Sequence, residues 1–304
     1  MKTAQEYFNI WLANEESNLF ENAISDYTKA IELDGNNADY YNHRGEVKFK
    51  IEDYIGAIAD FDKAIAIDEN YVICYFNRGC AKEKLLYNIE AINDYDMAIK
   101  LSPETPNLDI YWKRGNLKFE TRDFYAAILD FDYLVDMSET DIEAIELRAL
   151  AKYEIEDFKG ALADFTKLIN LTPADTTCYY NRGNVNLKLQ NFEDAINDYD
   201  ISIEINSFNP EAYIHRGQVK FLLKMYNESI LDFTKAIELD PTDAGDAYKR
   251  RSEAKMKISD VEGAELDQEK SRELFLKYKV EIFKGSDGKH YVVDRKTNKI
   301  LGVK

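Results

Sequence analysis

A short string recurs eight times along this 304-residue chain at nearly constant spacing, and no other feature constrains the fold as tightly. Its copies begin Ala23-Ile24-Ser25-Asp26-Tyr27, Ala57-Ile58-Ala59-Asp60-Phe61 and Ala91-Ile92-Asn93-Asp94-Tyr95. They continue as Ala127-Ile128-Leu129-Asp130-Phe131, Ala161-Leu162-Ala163-Asp164-Phe165, Ala195-Ile196-Asn197-Asp198-Tyr199, Ser229-Ile230-Leu231-Asp232-Phe233 and the degenerate Ala264-Glu265-Leu266-Asp267-Gln268. Successive offsets are 34, 34, 36, 34, 34, 34 and 35 residues, so the units start at Ala4, Ala38, Val72, Leu108, Ile142, Thr176, Pro210 and Gly245. A unit this short cannot bury its apolar face alone, so neighbours must stack.

Each unit reads as a pair of helices. In the second unit, Tyr40, Arg44, Val47 and Ile51 share one face of the first half, and Ile58, Phe61, Ala64 and Ile65 share one face of the second. Turn signals fall between units, as in Asp34-Gly35-Asn36-Asn37, Ser102-Pro103, Thr172-Pro173 and Asp240-Pro241. Two extra residues around Thr105 and Pro106 lengthen one of these loops. The polar run Asn14 to Asn18 suits a solvated N-terminal cap. The last helix is expected to run to about Tyr278, and then the period changes. Val280–Phe283, His290–Asp294 and Ile300–Val303 are short apolar stretches separated by turn-forming residues, which predicts a three-stranded β-meander. The expected organisation is a repeat array over residues 1–279 and a small strand extension over 280–304. A sheet of that size is marginal alone, so it must dock on the last helix pair or pair through an edge with a partner or a second copy.

Counting from each unit start, position 8 holds Gly45, Gly79, Gly115, Gly183 and Gly217. Position 24 is a ring in seven units, from Tyr27 to Phe233, and position 32 is proline at Pro103, Pro173 and Pro241. In this pattern and in its period the chain resembles the tetratricopeptide repeat family over about residues 4–278. The resemblance implies an all-α fold, a right-handed α-solenoid of about eight helix–turn–helix repeats. It also implies that the first helices line a concave inner face that grips a peptide or protein segment.

The chain departs from that family where an apolar residue is usual. Position 7 is Arg44, Arg78, Arg114, Arg148, Arg182, Arg216 and Arg251, and position 11 is Lys48, Lys82, Lys118, Lys152, Lys220 and Lys255. Position 23 is Asp60, Asp94, Asp130, Asp164, Asp198 and Asp232, with Asp26 and Asp267 at the ends. Positions 7 and 11 are one helical turn apart, so the two cations project together. Spacing leaves open whether the Asp they meet belongs to the same unit or to the next. The reading is a structural ion ladder that sets repeat register.

Aromatic and amide side chains on the face opposite the core stripe mark the candidate groove. They are Phe76, Trp112 and Tyr180 at position 5, Asn77 and Asn181 at position 6, and Asn116 and Asn184 at position 9. Rings can clamp a peptide's side chains and amides can hold its backbone. Position 5 is expected to be exposed in the groove, whereas the rings at position 12 divide evenly between exposure and burial. Certain tetratricopeptide domains hold acidic chaperone tails through Lys at position 5 with Asn at position 9; no unit here has that pair.

Composition narrows the partners. Fifty-seven acidic against 39 basic residues give a net charge of -18, which disfavours nucleic acid and anionic membranes and favours basic or neutral protein segments. With 45% hydrophobic residues the chain is not a disordered acidic polymer. The longest stretches without Asp, Glu, Lys or Arg are eight residues against the roughly 20 of a membrane span, and the first residues carry no apolar signal segment, so a cytoplasmic protein is expected. Cys74, Cys80 and Cys178 are odd in number and scattered, which fits reduced thiols, and with His43, His215 and His290 they give no zinc spacing. There is no glycine-rich phosphate loop, His-Glu-x-x-His or Gly-x-Ser-x-Gly, and the Asp-aromatic-Asp strings lie on helices where neighbours two apart diverge. No catalytic residue, metal or cofactor is expected. The functional expectation is a non-enzymatic scaffold, with a building block that self-associates through its C-terminal strands as the alternative.

Overall fold

The structure is a computed structural model that describes residues 3, 6, 20–103, 107–284, 290–294 and 300–303, with side chains as far as residue 276. The expected first helix of the first unit, its cap at Asn14–Asn18, the loop at 104–106 and the two turns of the strand extension lie outside the described residues. The described residues form fifteen helices distributed over two compact units, residues 1–155 and 156–304. The first unit holds α1 (Phe20–Leu33), α2 (Ala38–Lys50), α3 (Tyr54–Ile67), α4 (Val72–Lys84), α5 (Asn88–Leu101), α6 (Leu108–Glu120), α7 (Phe124–Met137) and α8 (Ile142–Glu154). The second holds α9 (Phe158–Leu171), α10 (Thr176–Lys188), α11 (Phe192–Ile205), α12 (Pro210–Leu222), α13 (Tyr226–Leu239), α14 (Gly245–Lys257) and α15 (Val261–Lys279). Three antiparallel strands follow, β1 (Val280–Lys284), β2 (His290–Asp294) and β3 (Ile300–Val303), ordered β1-β2-β3. Within each unit, consecutive helices pack antiparallel in a stacked solenoid.

Among the described residues, the turn inside each repeat from the second to the eighth is built the same way. Position 15 takes a left-handed backbone at Glu52, Leu86, Arg122, Glu156, Gln190, Lys224 and Ser259, with φ between 62° and 66°. No glycine stands at any of them, so each turn carries a conformational cost of about 1 kcal/mol that the packed helices offset. At the next residues Asp53, Asp123, Asp157 and Asp260 cap the following helix, each accepting from the backbone N–H three residues on.

The two helices of a repeat meet where glycine faces a ring. A Cβ placed on Gly45, Gly79, Gly115, Gly183 or Gly217 would lie 2.6–3.0 Å from the position-24 ring of its own repeat. Those rings, Phe61, Tyr95, Phe131, Tyr199 and Phe233, are wholly buried beside the small Ala57, Ala91, Ala127, Ala195 and Ser229. Burying each contributes about 1.5–3 kcal/mol. In the eighth repeat Ser252 replaces the glycine and Gln268 the ring, and the Ser252 hydroxyl donates to the Ala264 carbonyl at 2.7 Å instead.

Buried ion clusters and the candidate binding groove

Six of the position-7 arginines are held from three sides. Arg44, Arg78, Arg182, Arg216 and Arg251 each donate from Nε and Nη2 to the Asp sixteen residues on, in the same repeat, at 2.5–3.2 Å. Arg114 grips Asp130 in the same fork. The remaining Nη1 reaches back to position 25 of the preceding repeat: Arg78 to Asp62, Arg114 to Asp96, Arg148 to Asp132 and Arg216 to Asp200, at 2.5–2.8 Å. Where position 25 is Thr28, Thr166 or Thr234, the hydroxyl accepts from Arg44, Arg182 or Arg251. The same-repeat and cross-repeat contacts that spacing left open both exist, made to different carboxylates. Asp60 and Asp62 of one Asp-Phe-Asp string serve Arg44 and Arg78 respectively. Asp164 is likewise buried.

Lysine completes the cluster. Lys48, Lys82, Lys118, Lys220 and Lys255 pair with the same buried carboxylate at 2.7–3.0 Å. Beneath the guanidinium groups lie Tyr41, Tyr75, Tyr111, Tyr179, Tyr213 and Tyr248, with ring centroids 5.3–5.9 Å away. Burial works against the charge of Arg78, but Asp94 and Asp62 outweigh it and raise its pKa. The sixth repeat departs from this arrangement, whereas Lys48 and Lys255 are kept where Thr28 and Thr234 stand. With Thr166 in place of an Asp, the sixth repeat carries Asn186 in place of the Lys, and its amide donates to Asp198 at 2.9 Å. The smaller side chain leaves a cavity of about 240 Å³ beside Arg182, Asn186 and Asp198.

In the first unit, the candidate groove residues lie on two first helices, Phe76 and Asn77 on α4 and Trp112 and Asn116 on α6. A cavity of about 440 Å³ is lined by Glu46, Phe49, Lys50, Phe76, Asn77, Lys84 and Lys113. A second, of about 600 Å³, is lined by Glu83, Trp112, Asn116, Phe119 and Leu147, and shares Lys113 with the first. Phe76 and Trp112 are half-buried rather than fully exposed, because each leans on the position-24 ring of its own repeat, Tyr95 or Phe131. The Asn77 amide is engaged, donating to Glu46 at 3.0 Å and to Asn42 at 3.3 Å across the repeat interface. Asn116 makes no side-chain hydrogen bond among the described residues and faces the second cavity. The position-12 rings Phe49 and Phe119 pack edge-on against Tyr54 and Phe124 within their own repeats. Cys74, buried and donating to Asn42 at 3.2 Å, has its thiol pushed up to about 12 by burial and by the nearby Glu46, so it is unreactive.

In the second unit, Tyr180 is half-buried, leaning on Tyr199 with its hydroxyl 3.2 Å from His215 Nδ1. That nitrogen also lies 2.9 Å from the Glu211 carbonyl, which only accepts, so Nδ1 carries the proton. Burial and Arg250 lower the His215 pKa against the opposing pull of Glu211 and Asp246. Asn184 accepts from the Tyr199 hydroxyl at 2.8 Å, leaving Asn181 as the amide of this face without a hydrogen bond among the described residues. A cavity of about 510 Å³ here is lined by three acids, Glu211, Asp243 and Asp246, one cation, Lys249, and apolar residues that include Phe275. Among the described residues no cluster of His, Cys, Asp and Glu is arranged to hold a metal ion, and no helix is long and apolar enough to cross a membrane.

Stacked helix pairs of this period, with glycine against a ring in five of the hairpins, define the class as a helical repeat protein. Profiles described as tetratricopeptide repeat match residues 4–37, 38–71, 146–210 and 210–243, together more than half of the chain, which belongs to that family. No curated protein matches it. Among solved structures it is similar to YrrB, described as a TPR protein with an unusual peptide-binding site, at 22% identity and TM-score 0.54, over 60% of this chain and 92% of that one. The C-terminal part of a TPR repeat-containing protein from Cytophaga hutchinsonii is 18% identical with TM-score 0.61, over 80% and 98%. A structure of Naa15/Naa10 bound to HypK-THB is 16% identical with TM-score 0.64, over 90% of this chain and 42% of that one. At these identities the likeness is one of fold.

Proposed function

We propose that the chain is a non-enzymatic scaffold that grips a protein segment on the first-helix face of its repeats. The observation that carries this reading is the pair of adjoining cavities along α2, α4, α6 and α8, where Trp112, Phe119 and the uncommitted amide of Asn116 face open space. A soluble helix ordinarily turns charge toward solvent, so half-exposed rings beside unsatisfied amides suit a peptide's side chains and backbone. The peptide-binding site for which YrrB is described agrees with this use of the fold. The acidic cavity bordered by Glu211, Asp243 and Asp246 supports basic ligands for the second unit. Groove residues Phe76, Asn77, Tyr180 and Asn184 act partly through the partners they touch, and Asn181 offers a further uncommitted amide.

Trp112→Ala and Asn116→Ala are expected to weaken capture of protein partners at least fivefold while the melting temperature changes little for Asn116→Ala. Unaltered capture by both variants contradicts the groove. The second reading is self-association, favoured by a strand order that leaves β1 and β3 as sheet edges, as in a C-terminal meander. It requires a dimer by light scattering that disappears in a chain ending at residue 279.

A further inference from the structure

Within the groove of the first unit, the cavity between α2, α4 and α6 is lined by three lysines and one glutamate, a local charge opposite to that of the chain. Around the cavity between α2, α4 and α6 stand Lys50, Lys84 and Lys113, with Phe49 and Phe76 on its walls, in a protein whose net charge is -18. Its one lining acid is already occupied. The Glu46 carboxylate accepts from Asn42 and Asn77 at 3.0 Å and lies 3.0 Å from His43 Nδ1. Burial works to raise its pKa, but these partners win and lower it, so it stays ionised and satisfied. Lys113 reaches Glu83 at 3.4 Å, but that carboxylate also accepts from Tyr95 at 2.7 Å. Lys84 is exposed and makes no ion pair among the described residues.

We infer that this cavity binds an internal acidic protein segment bearing one aromatic or large aliphatic side chain. The inference rests on the groove reading above and names its ligand chemistry. The apolar side chain enters between Phe49 and Phe76, and carboxylates on either side of it meet Lys84 and Lys113. A basic segment brings like charge against three ammonium groups. A long polyanion such as nucleic acid meets the acidic remainder of the surface, whereas a short segment lies within a Debye length, about 8–10 Å, of the lysines and feels chiefly them. The cations stand at positions 13, 13 and 6 of their repeats, without Asn partners arranged around a chain end, so the segment is recognised by its side chains rather than by a terminal carboxylate.

Fluorescence polarisation on the full chain tests this with three fluorescein-labelled, C-terminally amidated peptides. One has phenylalanine flanked by two acids on each side, one has the acids replaced by lysines, and one has the phenylalanine replaced by alanine. The acidic phenylalanine probe is expected to bind at least tenfold tighter than either of the others. Its affinity should fall at least tenfold in Lys84→Glu, be kept in Lys84→Arg, and drop as salt rises from 50 to 500 mM. Equal or tighter binding of the lysine probe, an unchanged affinity in Lys84→Glu, or no saturable binding of the acidic probe overturns the inference. If the lysine probe binds instead and loses affinity in Asn116→Ala, the groove survives and only its assigned ligand falls. If capture of every ligand is indifferent to Asn116→Ala and Trp112→Ala, the groove falls with it.

Discussion

Arg114 shows how much one side chain coordinates in this fold. It grips buried Asp130, reaches Asp96 in the repeat before, and lies over Tyr111, while Lys118 shares the Asp130 carboxylate. Asp130 is 1% exposed, so its charge depends wholly on these partners. Arg114→Leu is therefore expected to destabilise the chain by about 3–5 kcal/mol in urea melts, because a buried charge loses half of its compensation. Removing Asp130 as well does not restore stability, since Lys118 is then stranded. The triple change Arg114→Met, Lys118→Met and Asp130→Leu recovers most of the loss. Wild-type stability in the single variant contradicts the cluster's role. The Arg and Asp columns were legible in the sequence because they recur, but their pairing was not, since each guanidinium has two acceptors in two repeats. The tyrosines at position 4 and the Asp or Thr at position 25 recur just as regularly, and they carry half of the geometry. Sequence alone does not assign them, because tyrosine reads as ordinary core and the second Asp of each Asp-aromatic-Asp string diverges from the first on its helix.

At the scale of the helix, the hairpin depends on a missing side chain. Alanine is favoured over glycine inside a helix by about 1 kcal/mol, so propensity alone makes Gly79→Ala stabilising. A Cβ there, however, falls 2.6 Å from the Tyr95 ring, which is fully buried and hydrogen-bonded to Glu83 at 2.7 Å and so has little room to retreat. Overpacking of this kind costs about 1–3 kcal/mol, and the net expected outcome is a lower melting temperature, with the largest disturbance at the α4–α5 hairpin by hydrogen exchange. A higher melting temperature contradicts the packing argument. Helix boundaries were readable from the turn residues and the 34-residue period. The half-burial of Phe76, Trp112 and Tyr180 was not, because a helical wheel does not report that a ring at position 5 can lean sideways onto position 24 of its own repeat.

For the whole chain, net charge is a poor guide to any one surface. The total of -18 pointed to basic or neutral partners, yet lysines outnumber acids around the cavity beside Lys84 and acids outnumber lysines around the one beside Asp246. Composition averages over both, and only the placement of positions 6 and 13 on adjoining first helices separates them. The repeat itself was fully written in the sequence, while the groove was written only as a list of faces whose side chains still had to be matched with neighbours. The central claim is that first helices, not second helices or the C-terminal strands, meet the partner. Site-specific photocrosslinking tests it most directly, with a benzophenone amino acid placed in turn at Asn116 in the groove, at exposed Leu129 on α7 and at Tyr291 in β2. The account predicts partner adducts from position 116 and none above background from 129 or 291. Adducts confined to 129, or self-adducts from 291 with none from 116, contradict it.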